Sequence, residues 1–399
     1  MLEILIALYA LFTAYRVVLS VLQIKFINGC KEPVVLPAGE FESAALVAVQ
    51  KQKFEITHNI FTLLTVIVWS VWGASALQLA LSSLVESALI RDALLVTIFL
   101  GIGAVLNLPF DIYSTFVMDK KFGFTNTTTG LYALDFIKSL AMILIFGFVV
   151  SWVLLLCYEL LGASWWIWAF GISFGLILLV NLIYPTIIAP IFNKITPLEN
   201  SELNQAINSL LKSCGFKSSG VYSMDASKRD NRLNAYFGGL GATKRVVLFD
   251  TLINKLSQDE IIAVLGHELG HFKHRDIIKN IALMSVVLFG FFAIFGNIPS
   301  SLYLALGLEV SGGGLFIFFL LYSSLFMVVV EPLISSFSRS HEFGADEFGA
   351  QKTSKESMIS ALKKLGKENK AFPLSHPFFS FVYHSHPTLY ERLKRLESL

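Results

Sequence analysis

Seven long apolar runs constrain this chain more than any other feature of its sequence. A helix needs about 20 mostly apolar residues to cross a bilayer core about 30 Å thick. Runs of that length lie near residues 4–24, 60–82, 93–116, 139–161, 166–192, 281–306 and 313–336. Hydrophobic residues make up 55% of the chain and charged residues only 15%, and its mean hydropathy is +0.66, which places it outside the ordinary soluble class. We therefore predict a mainly α-helical, polytopic membrane protein with seven transmembrane helices.

Positive charge is distributed unevenly between the two sides of these spans. The short connections after the first and third spans are rich in lysine, whereas the alternate loops hold little beyond Arg91. Short loops rich in Lys and Arg face the cytosol. By parity the polar region from 193 to 280 and the C-terminal tail fall on that same side, so we expect these two polar pieces to meet.

The polar region has the pattern of a small α+β domain. Residues 202–214 carry apolar side chains at helical spacing, and a β-rich run follows at 221–224. Residues 233–237 and 245–249 are typical of two strands joined by a Gly-rich turn containing Gly241. Ser257 and Glu260 match a capping box, which predicts that a helix begins there.

Several classes of partner and site are disfavoured. The formal net charge of +2 and the absence of a basic stripe give no reason to expect a nucleic acid partner. The cysteines lie far apart and form no CxxC pair, so neither a thiolate metal site nor a disulfide framework is indicated: Cys30, Cys157 and Cys214. Any metal ligands must be histidines or carboxylates.

The predicted helix after Ser257 carries the motif His267-Glu268-Leu269-Gly270-His271. At 3.6 residues per turn, two histidines four positions apart lie about 40° apart on one face, so both imidazoles can bind one zinc ion. Glu268 is then placed to take a proton from the attacking water and return it to the leaving amine. This chemistry is peptide hydrolysis, and the small Gly266 and Gly270 leave room for a closely packed partner helix.

A catalytic zinc site usually has three protein ligands, so a third ligand must come from elsewhere. Ile277 occupies the position where a three-histidine motif would continue, which excludes that pattern. The candidate is Glu342, just after the last span, with Asp346 one turn further along the same helix face and able to hold a ligand histidine. His341 is a rival ligand.

The sequence indicates the roles of the other polar residues less specifically. His386 and Arg392 near the C-terminus could stabilise an oxyanion, as could His384. The remaining histidines are interpreted as ordinary polar residues: His58, His274 and His376. Polar residues within the spans should face inward, either for helix–helix hydrogen bonding or for function: Arg16, Asn107, Asp111, Asn181 and Glu331.

Taken together, the motifs resemble those of the type I CAAX prenyl proteases, which are integral membrane zinc metallopeptidases with seven spans. The resemblance covers nearly the whole chain. It rests on the following segments: Tyr184-Pro185, Ala189-Pro190, Asn234-Ala235-Tyr236-Phe237, Val247-Leu248-Phe249-Asp250-Thr251-Leu252, the His267–His271 motif, Ser338-Arg339 with Glu342 and Ala345-Asp346, Ser385-His386-Pro387 and Glu391-Arg392.

The resemblance implies a role for each matching residue. His267, His271 and Glu342 would bind one Zn²⁺ per chain, Glu268 would be the general base, and His386 and Arg392 would assist at the substrate carbonyl or carboxylate. The strand at Asn234, Ala235 and Tyr236 would pair with the substrate backbone, inside a chamber enclosed by the spans. This sequence departs from the family at Gly238, Gly239 and His341, which concerns substrate fit rather than catalysis.

The domain organisation follows from these expectations. Residues 1–192 form a membrane region of five spans, and 193–280 form the first part of a zinc peptidase domain. Residues 281–336 form a hairpin of two spans, and 337–399 complete the zinc site.

The substrate remains open at this stage. The resemblance implies cleavage of a C-terminal tripeptide after a prenylated cysteine. The sequence has a bacterial character, however, and bacteria generally lack prenylated CAAX proteins, so a quality-control peptidase for membrane proteins is an alternative. A non-catalytic chamber that binds lipidated peptides and a transporter are the alternatives outside the peptidase class. We expect the bacterial inner membrane, or the endoplasmic reticulum membrane if the chain is eukaryotic, with the zinc site on the cytosolic side.

Overall fold

Long apolar helices dominate the computed structural model, which describes residues 1–239 and 244–399. Five of them come first along the chain: α1 (Leu2–Gly29), α2 (Ala38–Ser82), α3 (Ala88–Phe122), α4 (Thr129–Leu160) and α5 (Gly162–Phe192). A sixth, α9 (Asp276–Phe295), follows the polar region. Later come the short α10 (Ser301–Leu304) and the pair α11 (Gly312–Tyr322) and α12 (Ser324–Lys352), whose axes are bent by 52° at Ser323.

The helices confirm the predicted membrane architecture. Six are long and apolar enough to cross a bilayer, and the bent pair α11–α12 makes the number seven if it counts as one span. Their inward faces share one apolar core, which runs from Leu5 and Tyr9 on α1 to Ile317 and Tyr322 on α11. Many large apolar side chains remain exposed on the outside, as expected for surfaces that face lipid.

Most of the helices extend beyond their predicted spans, and the sixth ends before its predicted limit. At about 1.5 Å per residue, the 45 residues of α2 extend about 68 Å, so this helix continues well beyond the predicted span at 60–82. The sixth span was predicted at 281–306, but α9 begins earlier and ends at Phe295. A side chain at Gly296 would overlap Trp166, and Pro299 cannot continue a helix, so the chain turns at this point.

The polar region forms a small mixed sheet flanked by helices. Its elements are β1 (Ile195–Pro197), α6 (Ser201–Ser213), β2 (Val221–Met224), β3 (Ala235–Gly238), β4 (Arg245–Phe249), α7 (Asp250–Lys255) and α8 (Gln258–Lys273). The strand order is β1-β2-β4-β3, with β2 and β4 parallel and the other two pairs antiparallel. The predicted helix and strands are present with bounds shifted by one or two residues. The predicted turn at Gly241 lies outside the described residues.

The C-terminal tail adds α13 (Lys355–Glu368), α14 (Pro377–Tyr383) and α15 (Leu389–Glu397) to the same polar domain. Leu265 and Leu269 of α8 pack in one apolar core with Met358 of α13 and Leu396 of α15. The two polar pieces therefore meet, as predicted, and they share one core.

Contacts fix this domain to the lysine-rich end of the membrane helices. Thr125, after α3, forms a β-bridge with Asp230, and the guanidinium of Arg232 donates to Asp119 at 2.6 Å. Arg229 donates two hydrogen bonds to the carboxylate of Asp135 on α4, at 2.7 and 3.0 Å. These bonds lock the domain onto one end of the helical bundle.

Candidate active site

The two motif histidines lie on one face of α8, which begins with the predicted capping box of Ser257 and Glu260. Their Nε2 atoms are 3.2 Å apart. The other ring nitrogen of each histidine is held by a carboxylate. Nδ1 of His267 lies 2.8 Å from Asp346, and Nδ1 of His271 lies 3.1 Å from Asp276. Both Nε2 atoms are therefore directed at one point.

Close packing of α8 on α12 brings Glu342 to that point. A Cβ added to Gly270 would lie 2.8 Å from Cα of Ala345, and one added to Gly266 would lie 3.1 Å from Cα of Gly349. Only glycine allows the two helix backbones to approach this closely. The predicted close partner of Gly266 and Gly270 is thus α12, the helix that carries Glu342 and Asp346.

The carboxylate of Glu342 completes a set of three donors. Its oxygens lie 3.4 Å from Nε2 of His271 and 3.6 Å from Nε2 of His267, and the residue is only 3% exposed. Oε2 is buried and has no hydrogen-bond partner among the residues that the structure describes. Such a buried, unpaired oxygen is costly unless a ligand satisfies it.

The geometry of the three donors fits a tetrahedral metal ion. Zinc binds histidine nitrogen and carboxylate oxygen at about 2.0–2.2 Å, which places the ligand atoms of a tetrahedron about 3.3–3.5 Å apart. The three observed separations, from 3.2 to 3.6 Å, lie close to that range. His267, His271 and Glu342 therefore form a candidate metal centre.

Proton binding at His271 competes with metal binding. Burial alone would lower the pKa of this imidazole, but hydrogen bonds to the carboxylates of Glu342 and Asp276 outweigh it and raise the pKa to about 9. A metal ion must displace that proton, so its affinity falls as the pH falls.

The side chain of Glu268 is partly exposed and borders a cavity of about 350 Å³ beside the metal centre. His267, His386 and Arg392 line the polar end of this cavity, and most of its remaining wall is apolar. The general-base candidate and the metal centre thus face the same substrate-sized space.

The structure places His386 and Arg392, the two C-terminal candidates, beside the candidate metal centre. Nε2 of His386 lies 3.3 Å from Glu342, and its side chain is 58% exposed, so it remains available to a substrate. Arg392 is largely buried and donates from Nε and Nη2 to the carboxylate of Asp346, at 2.8 and 2.6 Å. Its Nη1 is 3.6 Å from Glu342. Arg392 thus contacts both Asp346 and Glu342.

Two functional contacts were not identified from the sequence. Asp276 holds His271 because Arg275 adopts a left-handed conformation, with φ of 58°, and turns the chain straight from α8 into α9. Arg339 on α12 donates to the carbonyl oxygens of Ser380 and His384, which fixes the segment leading to His386. In the sequence, the available signals for these two contacts were Asp276, five positions after His271, and Arg339, next to Ser338.

The other histidines lie outside the set of three donors. Nε2 of His341 lies 3.7 Å from the carboxylate of Asp276, which also contacts His271. His341 is therefore not one of the three donors of the candidate metal centre. Nε2 of His58 lies 2.9 Å from Oδ1 of Asn107. This contact is a hydrogen bond between two membrane helices, which is one of the two interpretations given above for polar residues within the spans. Cys30, Cys157 and Cys214 are free cysteines in the structure.

The strand predicted to bind substrate lies at the edge of the sheet. β3 pairs with β4 on one side, and its other side is not paired with a strand of the described residues. Asn234 is exposed just before the strand, and Ala235 and Asn234 line the cavity beside the metal centre. An extended peptide can add to such an edge by backbone hydrogen bonding.

Comparison with known proteins decides the family. Residues 197–399 match the model of peptidase family M48, and residues 34–194 match the N-terminal CAAX prenyl protease domain of five membrane helices. The chain belongs to peptidase family M48. Similar curated proteins include CAAX prenyl protease 1 of Saccharomyces cerevisiae, 36% identical over 75% of this chain and 71% of the relative. The human CAAX prenyl protease 1 homolog is 33% identical over 77% of this chain and 73% of the relative.

The fold also matches that of a solved structure. The crystal structure of S. mikatae Ste24p superimposes with a TM-score of 0.90 at 30% identity, covering 99% of this chain and 98% of that one. These matches confirm the predicted family, the chamber-type membrane fold and the assignment as a metalloprotease that acts on peptide or protein substrates.

Proposed function

We propose that this M48 protein is a zinc-dependent membrane endopeptidase that cuts near the C-terminus of prenylated CAAX-type or similar hydrophobic substrates. His267, His271 and Glu342 hold one zinc ion. The observation that carries the proposal is the convergence of three donors at separations close to those of a tetrahedron, with one buried carboxylate oxygen that has no hydrogen-bond partner among the described residues.

Each side chain has a separate task. A bound zinc ion supplies a Lewis acid that polarises the scissile carbonyl and makes water a better nucleophile. Glu268 removes a proton from the attacking water and delivers it to the leaving amine. Asp346 and Asp276 contact Nδ1 of the two imidazoles, which orients both Nε2 atoms towards the metal position and keeps the ring proton of each neutral imidazole on Nδ1.

His386 and Arg392 act beside Glu342, the ligand that α12 contributes. His386 is exposed to the cavity and donates a hydrogen bond to the developing oxyanion of the substrate. Arg392 uses two nitrogens to fix Asp346, which leaves Nη1 to balance Glu342 or to meet substrate. Its two bonds to Asp346 orient the carboxylate that holds His267.

The substrate adds to the free edge of β3 at Asn234, Ala235 and Tyr236. The cavity of about 350 Å³ beside this edge is at the small end of the range of about 300–1,000 Å³ that ligand pockets span. Its largely apolar wall fits a short hydrophobic leaving peptide, such as the aliphatic tripeptide of a CAAX terminus.

The membrane orientation belongs to the same proposal. The polar domain that carries the metal site contacts the lysine-rich end of the membrane helices. Loops rich in Lys and Arg face the cytosol, so this end of the helices lies on the cytosolic side. The zinc site then faces the cytosol, in the bacterial inner membrane or, if the chain is eukaryotic, in the endoplasmic reticulum membrane.

The test is Glu268→Gln in the purified full-length protein, assayed by mass spectrometry on a prenylated and an unprenylated peptide. Cleavage should disappear while one zinc per chain remains. Asp259→Asn is the matched control, because it exchanges an exposed carboxylate for an amide on the same helix and should keep full activity. Full activity of Glu268→Gln would refute the mechanism. Cleavage of unprenylated peptides at internal bonds alone would replace CAAX processing with quality control of membrane proteins.

A further inference from the structure

The open edge of the substrate strand ends at Leu233, where a side chain from the C-terminal tail takes the place of a neighbouring strand. Asn369 directly follows α13. Its Nδ2 donates to the carbonyl oxygen of Leu233 at 3.2 Å, and its Oδ1 accepts from the N–H of Leu233 at 2.8 Å. One amide group therefore satisfies both backbone groups of Leu233, as the backbone of a paired strand residue would.

The register of β3 shows that these two bonds lie on its open side. The N–H of Phe249 donates to the carbonyl oxygen of Asn234 at 3.1 Å, so the backbone of Asn234 faces β4. In an antiparallel pair, successive residues direct their N–H and C=O groups alternately towards the partner strand and away from it. Leu233, Ala235 and Phe237 therefore direct these groups to the side where β3 has no strand partner among the described residues.

A peptide that adds to this edge can use the backbone of Ala235 and Phe237 but not that of Leu233. The N–H of Ala235 donates to Oδ1 of Asn234 at 2.8 Å, and Asn234 is exposed, so a substrate can replace this bond. Leu233 is only 4% exposed, and both of its bonds come from a side chain fixed within the fold. Backbone pairing with a substrate therefore stops before Leu233.

The turn that ends α13 holds Asn369 in place. The N–H of Ala371 donates to the carbonyl oxygen of Gly366 at 2.8 Å, which closes the turn around Asn369. Lys370 adopts a left-handed conformation in this turn, with φ of 45°, and its Nζ donates to the carbonyl oxygen of Phe122 at 2.8 Å. The turn is thus anchored to the end of α3, so Asn369 is fixed from both sides.

Asn369 also borders the candidate active site. Asn369, Leu233 and Ala235 line the cavity of about 350 Å³ that His267 and Glu268 line as well. Strand residues are spaced about 3.4 Å apart, so Leu233 lies about 7 Å along the strand from Ala235. Only about two or three extended substrate residues therefore fit between the metal centre and Asn369.

The direction of the substrate decides which of its ends approaches Asn369. In antiparallel addition, Ala235 and Phe237 can each exchange both backbone bonds with one substrate residue. Antiparallel pairs also outnumber parallel ones about two- to threefold in proteins. A substrate in this direction runs from Phe237 towards Leu233, so the residues after its scissile bond are those that approach Asn369.

We propose that Asn369 closes the substrate-binding edge and thereby favours substrates in which only about two or three residues follow the scissile bond. This inference rests on the proposed function and assigns a positioning residue to that reaction. A longer C-terminal piece must leave β3 before Leu233, so its additional residues gain no backbone hydrogen bonds from the strand. Asn369 acts through Leu233 and through the end of the cavity, not on the reacting atoms.

The experiment compares two forms of one prenylated peptide, with three or six residues after the prenylated cysteine, on the full-length protein in detergent micelles. Mass spectrometry confirms that both forms are cut at the same bond. Asn369→Ala removes the amide and leaves the N–H and C=O of Leu233 to the substrate. We expect kcat/KM for the long form, relative to the short form, to rise at least fivefold in Asn369→Ala, mainly through a lower KM for the long form.

The matched control is Asn231→Ala, two positions before Leu233. Asn231 also uses its side-chain amide to bind a backbone carbonyl, that of Gly123 at 3.0 Å, but it does not line the cavity. This variant should change the ratio of the two forms less than twofold. The short form reports on folding and on the metal centre in every variant.

Two results would overturn the role of Asn369 and leave the proposed peptidase function intact. One is an unchanged ratio in Asn369→Ala that still cleaves the short form. The other is an equal loss of activity on both forms, which would show that Asn369 only supports the fold. Failure of the unmodified protein to cleave either form would instead refute the proposed function.

A second readout does not depend on turnover. Fluorescent versions of both forms are bound to Glu268→Gln protein, and their dissociation constants are measured by anisotropy. Adding Asn369→Ala should tighten binding of the long form at least fivefold relative to the short form. Equal changes for the two forms would overturn the assignment even if no peptide is cleaved.

Discussion

Replacing Gly270 with alanine should weaken metal binding by moving α12 away from α8. The added Cβ would lie 2.8 Å from Cα of Ala345, whereas packed carbon atoms lie about 3.5–4.0 Å apart. The two helices must therefore separate locally by at least about 0.7 Å. Metal sites tolerate deviations of only about 0.2 Å in ligand distance, and Glu342 lies less than one turn before the point of contact.

The effect on stability should be smaller than the effect on metal binding. Alanine gains about 1 kcal/mol over glycine as a helix former, and overpacking costs about 1–3 kcal/mol. The folded protein should thus lose at most about 2 kcal/mol, while zinc affinity falls at least tenfold because Glu342 no longer meets both histidines.

The assay is competition for zinc between the purified protein and a fluorescent chelator, with thermal unfolding measured before and after metal removal. Metal binding stabilises a folded protein in proportion to its affinity, so the metal-dependent rise in Tm should shrink in Gly270→Ala. Gly344→Ala on α12 is the matched control, because its Cβ would meet only His274, at an ordinary distance of 3.4 Å. If Gly270→Ala keeps the zinc affinity of the unmodified protein, helix spacing does not position Glu342.

Three further predictions concern residues around the centre. Asp276→Asn should weaken zinc binding about 10- to 100-fold in the chelator assay, because the carboxylate that orients His271 is lost; unchanged affinity would contradict this. Burial alone would raise the pKa of Glu260, but hydrogen bonds from Lys364, Ser360 and Ser257 outweigh it and lower the pKa from 4.5 to about 2. That change corresponds to about 3 kcal/mol of stability, present above about pH 4.5 and lost as the pH falls towards 2. The Tm deficit of Glu260→Gln should therefore be large at neutral pH and small near pH 2, and a deficit independent of pH would contradict the argument. Arg339→Ala should lower kcat about 10- to 100-fold with zinc content unchanged, because the segment bearing His386 is released; loss of zinc instead would indicate a structural role.

Sequence reasoning succeeded where a local pattern determines the structure. The span lengths, the capping box at Ser257 and the helical spacing of His267 and His271 depend on residues close together in the chain. Glu342 and Asp346 could be selected because their spacing fits one helix face next to a known motif. The site-residue roles themselves remain predictions until the variants are measured.

Contacts that depend on an unusual backbone turn or on a distant segment could not be predicted in this way. The partnership of His271 with Asp276 depends on the left-handed turn at Arg275, an unusual conformation for a residue with a side chain. Pro299 is a local signal that α9 must end before 306, but the close contact of Gly296 with Trp166 of α5 cannot be seen within 281–306. The cavity beside the candidate metal centre forms where β3, α8, α13 and the segment around His386 come together.

The membrane helices contribute to the chemistry as well as to the enclosure. α12 runs without a break from Ser324 to Lys352, so the helix that carries Glu342 begins among the apolar segments. α9 starts with Asp276, whose carboxylate contacts Nδ1 of His271, and it continues as an apolar helix long enough to cross a membrane. The two carboxylates that contact the motif histidines, Asp276 on α9 and Asp346 on α12, thus both belong to helices that extend into the membrane region. Because these helices pack against the apolar core of the membrane helices, that core determines where the two carboxylates meet α8.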